Sequence, residues 1–384
     1  MRFLHTADWH LGRQFHNVSL IDDQAHVVEQ FVALARDRKV DAVIIAGDIY
    51  DRAIPPTDAV NLLDEVLHKL VKEAEIPVIM IAGNHDSSDR LGFGSSLMAG
   101  PGFHVYGPLD SAGKPLVLTD KDGDVYFCPM PYADPGEVRI HTGDEEIRSH
   151  DTAVRSLANS MAAQVPKGAR SVGIAHCWVT GGTASESERP LTIGGTGEVG
   201  ADCFQAFNYT ALGHLHRPQT AGSKTIHYSG SLLKYSFSEA DHTKSVNLVD
   251  IDAKGGVEVE RIELTARRDV RIIEGDLESV LKRDGDSGSA DDYMLIRVSD
   301  RKAILDAIGK LRQVYPNTLH VERPGMQLGE KKKMSGGDHL KRSEVDLFKD
   351  FYQEVMGLEI EPESAKAFEQ TVAAIRQDER EAQP

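Results

Sequence analysis

Seven side chains in this 384-residue chain, Asp8, His10, Asp48, Asn84, His176, His214 and His216, are oxygen and nitrogen donors with no thiolate among them. Such a set suits Mn, Fe, Zn or Mg ions. Seven donors are too many for one ion and fit two, with a carboxylate bridging. Two ions roughly 3.5–4 Å apart can hold a phosphate, generate a hydroxide and neutralise charge in an in-line displacement. His85 follows Asn84 and is free to donate a proton or a hydrogen bond to the phosphate or the leaving oxygen. Asp86 would orient His85 or a ligand. Singly, each motif is ordinary. Gly83-Asn84-His85-Asp86 is an Asx-type turn, one histidine at a strand end is usually structural, and His-Leu-His alone is weak. Together they agree in order, residue type and placement.

The placement comes from five apolar runs that read as buried strands, each ending in these donors. Phe3 to Ala7 precedes Asp8-Trp9-His10, Val43 to Ala46 precedes Gly47-Asp48, and Ile76 to Ala82 precedes Gly83-Asn84-His85-Asp86. Val172 to Ala175 precedes His176, and Tyr209 to Leu212 precedes Gly213-His214-Leu215-His216. In open α/β sheets, sites form at the carboxyl ends of the strands. Between the first runs, Ser19 is the expected cap of a helix to about Arg38 with Val27, Phe31 and Leu34 inward. Thr57 is expected to cap a second helix with Val60, Leu63, Leu67 and Leu70 inward. The start is therefore a layered α/β arrangement.

Short strands at Phe103 to Tyr106, Leu116 to Leu118 and Val125 to Cys128 are assigned to a second sheet. Thr225 to Tyr228, Ser245 to Ile251 and Val257 to Leu264 are expected to close it. Asp151 is expected to cap a helix to about Gln164. Residues 180–200 form a long polar loop beside the site, either a mobile rim or a plain connection. Beyond Arg267-Arg268 the pattern β-α-β-α-β runs to Glu322 and marks a small α+β domain. Lys331-Lys332-Lys333 with Gly336-Gly337 reads as a basic linker. Ser343 then caps a helix ending at Gly357, with Phe348, Phe351, Tyr352, Val355 and Met356 on one stripe. A last helix follows Pro362 and carries Phe368, Val372 and Ile375. The stripe of the preceding helix has the aromatic, Met-containing make-up used for helix-in-groove docking, and both helices are expected to dock on a partner.

Composition narrows the classes. The net charge of −17 argues against a simple basic nucleic-acid binder, so a polyanionic substrate would need metals, local basic patches or a partner. Three scattered cysteines, Cys128, Cys177 and Cys203, fit a reducing compartment and core packing rather than disulfides. Met1 to His5 enters a strand without a leader-like segment, and no apolar run is long enough to span a bilayer, so the expected location is the cytoplasm with no membrane partner. Trp9 is expected to pack beneath the site. His5, His16, His26, His68, His104 and His227 are assigned to structure or surface.

Asp8-Trp9-His10, Gly47-Asp48, Gly83-Asn84-His85-Asp86, His176 and Gly213-His214-Leu215-His216 resemble the five motifs of the calcineurin-like metallophosphoesterases. His5 to Gly12, Ala211 to Gln219 and Tyr228-Ser229-Gly230-Ser231 resemble, more closely, the SbcD family of nuclease subunits. The resemblance implies a two-sheet metallophosphoesterase sandwich flanked by helices, plus a small α+β capping domain and C-terminal helices. It gives residues 1–268 as the catalytic domain, 269–328 as the capping domain and 329–342 as the basic linker. Residues 343–376 are then partner-binding helices and 377–384 a disordered tail. It further implies one ion on Asp8, His10 and His216, the other on Asn84, His176 and His214, Asp48 as the bridge and His85 as the catalytic histidine. Where archaeal relatives carry a histidine, this chain has Asp51, so no assisting histidine role carries over there; Arg52 is either a phosphate contact or a surface salt bridge. The implied activity is Mn-dependent cleavage of DNA, double-strand 3′-to-5′ exonuclease and single-strand endonuclease, in repair and recombination. The implied partner is an SbcC-type coiled-coil ATPase, with two copies of each chain and hence a homodimer within a heterotetramer. The competing readings are a phosphatase or phosphodiesterase on a small molecule or phosphoprotein, and a non-catalytic scaffold, which would be expected to have lost ligands.

Overall fold

A computed structural model describes residues 1–100, 102–191, 197–300, 304–324, 343–356 and 360–381. The chain divides into two compact units, Met1–Val270 and Arg271–Pro384. The tri-lysine stretch, Gly336-Gly337, the helix end at Gly357 and the side chains of Val355, Met356 and Ile375 lie outside the described residues. Among the described residues no helix is long and apolar enough to cross a membrane.

The first unit is built on two six-stranded sheets. The first runs Val257–Glu263, Ser245–Ile251, Arg2–Thr6, Ala42–Ala46, Val78–Ile81, Phe103–Tyr106. Its last four strands are parallel. The second runs Gln219–Thr220, Ile226–Tyr228, Tyr209–Gly213, Arg170–His176, Gly123–Met130, Leu116–Asp120. Strands Ala42–Ala46, Val78–Ile81, Arg170–His176 and Tyr209–Gly213 are buried along their whole length, which is why they read as continuous apolar runs.

Three strands expected in the second sheet belong to the first. Phe103–Tyr106 adds to Val78–Ile81 in parallel, with Val78 opposite Phe103. Ser245–Ile251 pairs antiparallel with the first strand, Arg2 opposite Asp250, and Val257–Glu263 follows it. Alternation identifies a strand; it carries nothing about a partner so distant in sequence.

Between the sheets lies one apolar layer that includes Phe3, Ile44, Ile81, Phe127, Ile174 and Tyr209. Phe3 meets Phe127 and Tyr209 edge-on at 5.8 and 5.7 Å. Each such side chain, fully buried, stabilises the fold by about 1.5–3 kcal/mol. On the outer face of the second sheet, helix His150–Ala162 packs over Cys128, Met130, Cys177 and Leu212. All three cysteines are free and buried.

The helix caps differ from expectation. Ser19 ends a two-residue strand, Val18–Ser19, and helix Ile21–Asp37 starts after Leu20 without a side-chain cap. Its buried stripe is Val27, Val28, Phe31, Val32 and Ala35, and Leu34 is only half-buried. Thr57 is the first helical residue after Pro56, whose extended backbone sets the helix start. Its inward face is Ala59, Leu63 and Val66, leaving Val60 exposed. The third cap is Ser149, which exchanges hydrogen bonds with Thr152, whereas Asp151 accepts from the Gly200 N–H and pairs with Arg155.

The second unit contains a three-stranded sheet, Val270–Gly275, Tyr293–Val298 and Thr318–Glu322, with helices Leu277–Lys282 and Ala307–Arg312. Its core is Met294, Ile296, Val298, Leu311 and Tyr315. Helix Glu344–Met356 begins at Ser343, whose hydroxyl accepts the Asp346 N–H. Phe348 stacks on Phe368 of helix Pro362–Glu381 at 3.8 Å, and Phe351 is exposed. That last helix continues through Gln377, where the sequence reads as a charged tail.

Ala46 of the first sheet and Gly213 of the second, each at the carboxyl end of its strand, lie in near contact. A Cβ on Gly213 would lie 2.0 Å from the Ala46 carbonyl oxygen and 2.8 Å from His176 Nδ1. Gly213→Ala should therefore cost about 3 kcal/mol, the upper part of the range for overpacking, measured by urea unfolding of the purified chain. A loss below about 0.5 kcal/mol would show that the seam opens freely.

Candidate active site

The carboxyl ends of the five predicted strands converge on one buried cluster. Asp8 and His10 follow the first strand, Asp48 the second, and Asn84 and His85 the third. His176 ends its strand in the second sheet, and His214 and His216 follow the neighbouring one. Asp8, His10, Asp48, His85, His176, His214 and His216 are all buried.

Backbone strain concentrates here. Asp8, His10, Asp48 and His214 have φ of 53°, 45°, 50° and 103°. Left-handed backbone in non-glycine residues costs about 1–3 kcal/mol each and persists only where the surroundings enforce it. The enforcing bonds run between loops: Asp8 N–H to Gly47 O at 3.0 Å, His10 N–H to Asp48 O at 3.0 Å, and His214 N–H to Asp8 Oδ1 at 2.9 Å. Gln24 braces the first loop, its amide nitrogen donating to His10 O at 2.8 Å and its oxygen accepting from Gly12 N–H at 3.0 Å.

The donors form two groups about Asp48. His10 Nε2 and His216 Nε2 face each other at 3.0 Å, and Asp8, His10 and His216 gather closely enough to hold a metal ion. On the other side, Asn84 Oδ1 lies 2.9 Å from His176 Nε2 and 3.1 Å from His214 Nδ1. Asp48 Oδ1 accepts the His85 N–H at 2.8 Å. Its Oδ2 lies 3.6 Å from His10 Nε2 and 3.4 Å from His176 Nε2, facing both groups.

Charge and protonation suit a cation. Burial, above all, holds His10 and His214 well below the usual imidazole value, leaving neutral rings with a lone pair to give. Burial pushes Asp8 up to about 6, opposed by His176 and His216. Burial acts on Asp48 in the same sense but is outweighed by His176, His10 and His85, so its carboxyl stays well below the ordinary range. Two buried carboxylates facing histidine nitrogens form a donor set for divalent ions.

His85 stands beside the donors. Its Nδ1 bonds the Asp51 carbonyl oxygen at 2.8 Å, which makes Nδ1–H the donor and leaves Nε2 open, 4.0 Å from Asp48 Oδ2. Burial, above all, lowers its proton affinity, opposed by the Asp48 charge and the bond to the Asp51 carbonyl. Among the described residues Asp86 makes no hydrogen bond to that ring or to another imidazole. Its carboxylate accepts the N–H groups of Ile49, Tyr50 and Gly83 at 3.1, 3.0 and 2.9 Å, tying the Asp48 loop to the Asn84 loop. Asp51 pairs with Arg13 at 3.0 Å, and Arg52, 58% exposed, lies 3.8 Å from Asp51. Trp9 is buried against Phe31 and donates to Thr6 Oγ1.

Sequence reasoning missed the groups behind His216. Ser187 and Glu188 of the long loop, with Glu239 and Lys244, contact its ring or backbone. It also missed Gln24, whose signal was present: a glutamine on the buried stripe of an amphipathic helix.

The fold and site define a calcineurin-like phosphoesterase, and that family matches residues 1–218. Residues 266–356 match the type 5 capsule protein repressor C-terminal domain. The chain is 32% identical to the SbcD component of nuclease SbcCD from Staphylococcus saprophyticus, over 98% of its own length and 99% of that protein. It belongs to the SbcD family of nuclease subunits. Among solved structures it is similar to a dimetal phosphatase from Danio rerio, 14% identical, over 69% of this chain and 99% of that one, with a TM-score of 0.41. A Thermus thermophilus protein is likewise 14% identical, over 68% and 98%, with a TM-score of 0.38.

Asp86→Ala would leave three loop N–H groups without their acceptor. It should destabilise the chain by about 1–3 kcal/mol per unsatisfied group, whereas Asp86→Asn, keeping one acceptor oxygen, should lose less. Thermal unfolding of the two variants side by side tests this; equal losses would mean that charge, not the bond network, is what Asp86 supplies.

Proposed function

We propose that the chain is the Mn-dependent nuclease subunit of an SbcCD-type complex, cleaving DNA at double-strand ends from 3′ to 5′ and single strands internally. Its setting is end processing, repair and recombination in the cytoplasm. The observation that carries this reading is Asp48 Oδ2 facing two donor groups, with the open Nε2 of His85 beside them. In it, Asp8, His10 and His216 would hold one ion and Asn84, His176 and His214 the other, with Asp48 serving both. Bound cations would supply charge neutralisation and a hydroxide at neutral pH. The chain's residues do the rest. The Asp51 carbonyl orients His85, and His85 Nε2 handles the proton at the phosphate or leaving oxygen. Asp86 keeps the two donor loops in register.

The relative's name and exposed apolar surface support the proposed partners. Phe93 and Leu97, 85% and 83% exposed on residues 88–98, offer a patch for a second copy of the chain. Phe351, 61% exposed beside the Phe348–Phe368 stack, offers an anchor for a coiled-coil ATPase of the SbcC type. With a net charge of −17, DNA would be held largely by that partner and by local basic residues.

With Mn, the purified chain and an SbcC-type partner should degrade linear duplex DNA, and excess chelator should stop it. His85→Ala should cut the rate by about 10²–10⁴ while metal content stays at wild type. Turnover of a chromogenic phosphodiester with DNA left intact would favour a small-substrate phosphodiesterase instead. A chain ending at Lys333 should keep Mn-dependent cleavage but fail to co-purify with the ATPase; unchanged co-purification would place the docking surface elsewhere.

A further inference from the structure

His216 is held on every side but one. Its Nδ1 lies 2.6 Å from the Ser187 hydroxyl, and that hydroxyl lies 2.6 Å from Glu239 Oε1. Glu239 is buried, with its other oxygen 2.5 Å from the ammonium of buried Lys244. Beside that ammonium Glu239 is a carboxylate and has no hydrogen to give. The one Ser187 hydrogen therefore goes to Glu239, and the serine oxygen must accept from His216. This fixes His216 as the Nδ1–H tautomer and leaves the Nε2 lone pair facing His10 and Asp8. The backbone is pinned as well: Glu188 Oε1 accepts the His216 N–H at 2.8 Å, and Lys244 donates to the His216 carbonyl at 2.8 Å.

His10 shows the contrast. Its Nδ1 is buried with no hydrogen-bond partner among the described residues, and an Asp51 carboxylate oxygen lies 3.9 Å from it. Of the two imidazoles that face each other, only His216 has its tautomer set by a direct bond.

We propose that Ser187 is the positioning residue for His216, so that the long loop after strand Arg170–His176 sets the affinity for the ion held by Asp8, His10 and His216. The inference rests on the two-ion reading given above. Hydrogen-bond partners behind a ligating histidine fix its tautomer and raise its donor strength, and their loss typically costs 10–100-fold in metal affinity. What is particular here is the origin of the partner. Ser187 comes from a loop, not from the frame that carries the donors, and the same turn brings Glu188 to the His216 backbone. Arg13 adds a contact from the first loop to the Ser187 carbonyl at 3.4 Å.

The test is a Mn titration of the full-length chain by calorimetry, with folding checked by circular dichroism. Wild type should take two ions. Ser187→Ala should lose about 10–100-fold in affinity for one and keep the other. Ser187→Thr, which retains the hydroxyl, should restore the lost affinity. Imidazole ¹⁵N shifts of the metal-free chain should report His216 as the Nδ1–H tautomer in wild type and as a mixture in Ser187→Ala. Wild-type affinity at both sites in Ser187→Ala would overturn the proposal. So would a folded Ser187→Thr that binds as weakly as the alanine variant, or an Nε2–H tautomer in wild type. Fewer than two ions on the wild-type chain would instead overturn the two-ion reading on which it rests.

Discussion

Asp48 carries a charge into the place where the carboxyl ends of the two sheets meet, and much of the site is arranged around that charge. One of its oxygens is used by the His85 N–H, and the other faces His10 and His176. An ionised carboxylate in so dry a place is costly unless something positive or a hydrogen-bond donor answers it. His176 answers it from one side, raised to about 9 by the Asp48 charge against the opposing effect of burial. Left-handed backbone at Asp8, His10, Asp48 and His214 adds strain to that burial. A divalent cation would relieve the charge, while the strain is contained by bonds between loops. Binding and folding are therefore linked: any ion taken by the native cluster and not by the unfolded chain stabilises the fold.

Loops from different strands must agree in position for this to work. Asp86 binds the loop after the second strand to the loop after the third, Gln24 holds the first loop from a helix, and Asp8 reaches the His214 N–H in the other sheet. None of these three groups is needed as the proton-transferring atom. Each removes a freedom that would otherwise blur the spacing of the donors.

The side chains that converge on the cluster stand out in the sequence because most of their strands are buried along their whole length and are largely apolar, so an Asp, Asn or His at the end is conspicuous. Membership of the sheets was less legible. Ser245–Ile251 announces itself as a strand, but its neighbour, Arg2–Thr6, lies at the other end of the domain, and only the tertiary fold pairs them. The helix starts at Ser19 and Thr57 misled because a hydroxyl caps a helix from the N-cap position, and Leu20 and Pro56 hold those positions. Ser187 and Glu239 were invisible. In a polar loop, a serine that accepts from a buried imidazole looks the same as one that faces water.

The near-contact of Gly213 with the Ala46 carbonyl has a further meaning. At this point the main chains of the two sheets are in near contact, and His176 of the second sheet ties them by its Nδ1, 2.9 Å from the Ala46 carbonyl oxygen of the first. The gap across which the two groups of side chains face each other is thus set by the backbone frame together with that one bond. On the two-ion reading, a larger or smaller cation would be met by rotation of imidazoles and carboxylates about their own bonds more readily than by sliding one sheet over the other. Choice among ions of different radius would then lie with the groups that restrain those rotations, and the frame would be indifferent to it.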